Sequence, residues 1–274
     1  MDVLLWVLFG LLPAIAAMLL GVGVGGPRWL ASALAVAICV PFGIADGWPS
    51  WIWNLDLMYG ESRPALWWTL LLGGLLGTIF DFKLLPRGIN IVLEAGLVLM
   101  LPWWLSAPLR EASSFEGCLL YLAVGWTLIV ALWLGLRRSA AAQPGLPVPL
   151  AMTIALGVDA WLLRENAGGA DWQLAGVASV ALGFAVITTI WRRPFVCGSG
   201  AALTITLAHT GLLICGRSEQ ELSQLPFVLA WLAPLSMWLV VAPCFAKQRG
   251  VGACFAVMLV ATCGGLAIWL SAIS

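Results

Sequence analysis

Charge is what this sequence has least of. Only 9% of its 274 residues are Asp, Glu, Lys or Arg, 13 basic against 13 acidic, and there is one histidine. A soluble globular domain carries roughly 25% charged residues. With 62% hydrophobic residues and a mean hydropathy of +1.02, the chain belongs in a lipid bilayer. A net charge of zero, without any basic cluster interleaved with aromatics, argues against nucleic acid as a partner. One histidine rules out bis-histidine haem ligation within the chain, and no carboxylate or cysteine group has metal-ligand spacing. No metal and no cofactor is expected. The seven cysteines form no CxxC pair and are odd in number, so they read as small apolar side chains and not as a disulfide framework.

What the sequence does have is a succession of apolar runs separated by short loops. The runs mark ten spans, at approximately 3–24, 29–46, 64–80, 89–106, 117–136, 148–164, 172–191, 199–216, 225–245 and 250–272. These are helices, because in lipid each backbone polar group must be satisfied within its own segment. The fold class is therefore all-α, a polytopic membrane bundle. The N-terminal run is kept as a first span and not a cleaved signal. It has no basic residue before it, carries Asp2, and meets its first arginine only at Arg28, the reverse of a signal's charge order.

The charges that exist are not scattered. Arg28, Lys83, Arg87, Arg137, Arg138, Arg192, Arg193, Lys247 and Arg249 fall in the loops after the odd-numbered spans, whereas the other loops carry only Arg63, Arg110, Arg164 and Arg217. Short loops rich in Lys and Arg stay cytoplasmic. That places both termini outside and suits a bacterial-type plasma membrane. Most acids fall on the outer side, and Asp81 alone sits in an inner loop.

Tryptophan is abundant, at 17 residues. Many lie near span ends (Trp29, Trp67, Trp68, Trp103, Trp104, Trp133, Trp161, Trp172 and Trp191), as interfacial indole belts require. The segment 46–61 is the longest outer connection and holds Trp48, Trp51 and Trp53, a composition suited to lying in the interface plane. The stretch 139–149 (Ser-Ala-Ala-Ala-Gln-Pro-Gly-Leu-Pro-Val-Pro) reads as a cytoplasmic linker between halves 1–138 and 150–274. Two five-span halves have opposite orientations, the arrangement of many secondary transporters.

Chemistry-bearing residues inside the spans are few. Glu94, Asp159 and His209 lie within the hydrocarbon, where a charge costs at least roughly 2.5 kcal/mol and therefore usually faces the bundle interior. Asn90 shares a helix face with Glu94, and Thr206 and Thr210 share one with His209. The six residues are candidates for a proton or cation relay, with histidine the group suited to switching near neutral pH. The plainer reading is structural glue, each polar group bonding a neighbouring helix. Arg192, Arg193 and Ser199 at the start of the eighth span form a weaker candidate anion site. A serine–histidine hydrolase is excluded, because Ser199 and His209 on one helix stand about 15 Å apart along its axis.

The leading expectation is thus a small-molecule or ion transporter or channel. The alternative is a non-catalytic scaffold or assembly subunit of a membrane complex, with other membrane subunits or further copies of the chain as partners. Small-residue spacings such as Gly73-x-x-x-Gly77 and Gly21-x-x-x-Gly25 serve close helix approach under either. An enzyme is not expected; the third reading, a membrane-embedded enzyme acting on lipid-linked substrates, has only the outer acids Asp46, Asp56 and Glu61 to draw on.

Overall fold

A computed structural model of the chain describes residues 10–24, 26–46, 62–105, 115–143, 145–167, 171–191, 197–220 and 224–273. All regular structure among them is helical. The α-helices among the described residues are α1 (Leu12–Met18), α2 (Leu30–Asp46), α3 (Ser62–Asp81), α4 (Arg87–Leu105), α5 (Phe115–Ala142), α6 (Pro147–Ala167), α7 (Asp171–Trp191), α8 (Ser199–Gln220), α9 (Gln224–Leu232) and α10 (Arg249–Ile273). Five of them (α4, α5, α6, α8 and α10) contain stretches long and apolar enough to cross a membrane, and the others include shorter apolar stretches. The N-terminal segment, most of the Trp-rich connection 46–61 and the arginines at 192 and 193 lie outside the described residues.

The surface is apolar where a soluble protein would be polar. Leu20, Val92, Leu120 and Met258 are each more than 60% exposed. Such a surface is stable only against lipid or another apolar partner. The centre belongs to α8. It packs against α2, α3, α4, α5, α6, α7 and α9, and its residues from 200 to 216 are buried without interruption. Among those buried residues are the polar Thr204, Thr206, His209 and Thr210, side chains that a helix turned to lipid would not carry.

Small residues make that burial close. A side-chain carbon at Gly77 would come within 2.6 Å of the Gly200 carbonyl oxygen, and one at Gly73 within 2.5 Å of Leu207. The Gly73-x-x-x-Gly77 face is therefore the seam between α3 and α8. Gly21 likewise lies against Ala33 of α2.

One sequence reading is altered by the chain's actual course. The stretch 139–149 is largely helix: Ser139–Ala142 closes α5 and Pro147–Pro149 opens α6, where proline's missing N–H has no consequence. What remains of the linker turns through Gly145, at φ 119°. Among the tryptophans expected at interfaces, Trp67 and Trp133 are buried within the bundle. The Trp67 indole donates to the Cys39 carbonyl at 3.3 Å, satisfying its polar edge inside the bundle.

The prolines of the ninth span also act. After α9 the backbone tightens into a 3-10 helix over Ala233–Val241, with Pro234 in its first turn. Nine residues of 3-10 helix is long, since such runs rarely exceed three or four. Side chains of neighbouring helices hold it: Ser139 Oγ donates to the Met237 carbonyl at 2.6 Å. From the segment itself, Trp238 Nε1 donates to the Ala131 carbonyl at 2.9 Å and Ser236 Oγ to the Ala256 carbonyl at 3.0 Å.

Candidate functional site

Two of the three intramembrane ionisable residues meet. His209 lies near the middle of α8 and Asp159 in the C-terminal half of α6, helices that pack together. His209 Nδ1 stands 2.6 Å from Asp159 Oδ2, and neither side chain has any exposed surface. One proton lies between them, either on Nδ1 with a carboxylate accepting or on the carboxyl with bare Nδ1 accepting. Only one face of each group is engaged. His209 Nε2 and Asp159 Oδ1 are buried and have no hydrogen-bond partner. The pair can thus accept or release a proton at either outer atom and pass it through the short bond.

The threonines do not join it. Thr206 donates its hydroxyl to the Ala202 carbonyl at 2.8 Å and Thr210 to the Thr206 carbonyl at 2.6 Å. Thr204, a further buried hydroxyl, donates to the Gly200 carbonyl at 3.2 Å. Each bonds the turn before it, the usual way for threonine to satisfy a hydroxyl in an apolar helix. The helix face that sequence spacing assigned to them is real, but their hydroxyls are spent within α8.

Glu94 lies elsewhere, at the α4–α5 contact. Its Oε2 is 2.8 Å from Arg137 Nη1, and the same guanidinium lies 5.5 Å from the centre of the Trp133 ring. The carboxylate is fully buried while the arginine is partly exposed. Asn90, one turn before Glu94, donates to the Leu85 carbonyl at 3.4 Å. A single relay of Glu94, Asp159 and His209 is therefore not assembled by direct contacts. There are two separate ionisable pairs, one central and one toward the end of the bundle where Arg137 lies.

Compared with models of known families, with characterised proteins and with solved structures, the chain matches none. The functional reading rests on its own side chains.

The expected anion site at the start of α8 has an internal occupant. Asp81, at the end of α3, accepts the Gly200 backbone N–H at 3.0 Å. A helix N-terminus concentrates unpaired N–H groups and positive dipole, so a carboxylate there is stabilised. Gly198 leaves the space, since a side-chain carbon at that position would come within 2.1 Å of the carboxylate. Ser199 stands in the first turn, but the anion beside it belongs to the protein, and Arg192 and Arg193 are outside the described residues. Sequence reasoning missed this role of Asp81. Its signal was there, as the one acid in the inner loops.

Proposed function

We propose that the chain is a ten-span transporter of a small solute or ion, in a bacterial-type plasma membrane with both termini outside, and that Asp159 and His209 carry its coupling proton. The observation that supports this is the Asp159–His209 pair, wholly buried between α6 and the central helix α8, with one polar atom of each group lacking a hydrogen-bond partner. Ionisable side chains in a membrane interior are expensive and are retained chiefly on substrate or proton pathways. A pair needed only for packing would be as stable as two apolar side chains of similar volume, or less. The five long and five shorter apolar stretches agree in number with ten spans. Of the five pairs of corresponding helices in two five-helix halves, two pack together, α2 with α7 and α3 with α8.

The test is proton flux in vesicles containing the purified protein and a pH-sensitive dye, challenged with a panel of inorganic cations, organic cations and small carboxylates. A solute-dependent proton flux is expected, lost in His209→Leu and Asp159→Asn and kept in Thr204→Val.

The second reading, an assembly subunit, is favoured by the Glu94–Arg137 contact, which stands apart from the central pair as packing glue would. On that reading no solute drives proton movement, the double variant Asp159→Leu/His209→Leu remains fully functional, and a fixed stoichiometric membrane partner accompanies the protein through purification in mild detergent.

A further inference from the structure

Adjacent arginines on α5 have different surroundings. Arg137 turns to Glu94, while Arg138 is exposed, places its guanidinium 5.2 Å from the centre of the Trp238 ring, and has no acidic partner among the described residues. Beside it a groove runs along α5, lined by Trp126, Thr127, Val130, Ala131, Leu134 and Trp238, with a volume of about 520 Å³; Arg138 meets it through the Trp238 ring. Residues 127, 130, 131 and 134 follow the spacing of one helix face, and 138 continues it by one turn.

The side-chain donors of the lining are already engaged. Trp126 Nε1 donates to the Leu99 carbonyl at 2.7 Å, Thr127 Oγ1 to the Ala123 carbonyl at 2.8 Å, and Trp238 Nε1 to the Ala131 carbonyl. Gly135 lets the Trp238 indole lie against the helix, because a side-chain carbon there would come within 2.7 Å of its nitrogen. From Trp126 to Arg138 the face extends about 18 Å along the helix axis. That slightly exceeds half of a hydrocarbon layer of about 30 Å, the depth of one lipid tail. A second cation lies at the same end of α5: Arg249, at the start of α10, donates to the Ala142 carbonyl at 3.2 Å, one turn beyond Arg138 along the helix.

We infer that this groove binds one anionic phospholipid, its acyl chain against the α5 face and its phosphate at Arg138 with Arg249 beside it. Apolar length and an uncompensated cation select a lipid, and within lipids an anionic headgroup. The inference rests on the membrane reading above but not on transport.

Native mass spectrometry of delipidated protein in detergent tests it, with phosphatidylglycerol or phosphatidylcholine added at equal concentration. Phosphatidylglycerol is expected to be retained preferentially. Arg138→Gln should reduce that retention about fivefold, the worth of one arginine at an anionic surface, and Arg28→Gln should leave it unchanged. A phosphatidylglycerol with a photoreactive acyl chain provides the second measurement, with adducts expected on residues 126–134 and reduced in Arg138→Gln. Equal retention of the two lipids, or adducts on other helices only, overturns the site. A protein that binds neither lipid and stays in solution without detergent overturns the membrane reading instead.

Discussion

An acid and a base sealed from solvent against each other form an unusual commitment of two side chains, and the cost of separating them is measurable. Removing one partner leaves the other as an orphaned buried polar group, at about 1–3 kcal/mol. Asp159→Ala should lower stability by that amount in chemical unfolding from mixed micelles. Asp159→Leu/His209→Leu should regain most of it, because replacing both partners by apolar groups removes the orphan. His209 is the one histidine of the chain, so histidine-selective ¹⁵N labelling reads this site alone, and Asp159→Asn should change its tautomer balance. The sequence disclosed both residues but not their meeting, since nothing local says that the sixth and eighth spans touch. Glu94 was legible as buried, but its partner was counted as a loop charge because the apolar run was taken to end at 136. The helix in fact continues to Ala142, carrying Arg137 on it. Asp81 acts across an even longer separation. Its replacement by alanine should cost about 1 kcal/mol, the usual worth of an N-terminal cap, measured by the same unfolding experiment.

Among the helices, the seam between α3 and α8 tolerates least. A side chain at Gly77 or Gly200 would meet backbone atoms of the other helix, and backbone cannot move aside as a flexible side chain does. Gly77→Val and Gly200→Val should each destabilise by about 1–3 kcal/mol or more, the range for overpacking. Gly96, with nothing within 4 Å of a side-chain carbon, is the control. Gly96→Ala should be neutral or stabilising by up to about 1 kcal/mol, through helix propensity alone. Thermal unfolding in detergent would rank the three. Helices were the part most readable from the sequence, because apolar runs of membrane length leave the backbone few alternatives. The stretch 139–149 was less so: its prolines suggested a linker, although proline suits the first turn of a helix as well as a loop.

For the whole molecule, the basic loops make the strongest prediction. Reporter fusions at residues 82–86 and 246–248 should be active on the cytoplasmic side, and fusions at residues 106–114 and at the C-terminus on the outer side. The reverse pattern would refute the assigned orientation. Composition read from the sequence already required an apolar exterior. It did not identify the central helix, because the polar Thr204, Thr206, His209 and Thr210 show that α8 turns a face away from lipid but not that it is surrounded on all sides. Only the packing partners of α8 show that.

The 3-10 segment has a consequence for reach. The stretch Gln224–Val241 comprises nine residues of α-helix and nine of 3-10 helix. At about 1.5 Å and about 2.0 Å of rise per residue, the two parts together extend about 31 Å. The same chain wound as α-helix throughout would stop at about 27 Å, short of a hydrocarbon layer of about 30 Å. The tighter winding thus stretches a short piece of chain to the thickness of a hydrocarbon layer.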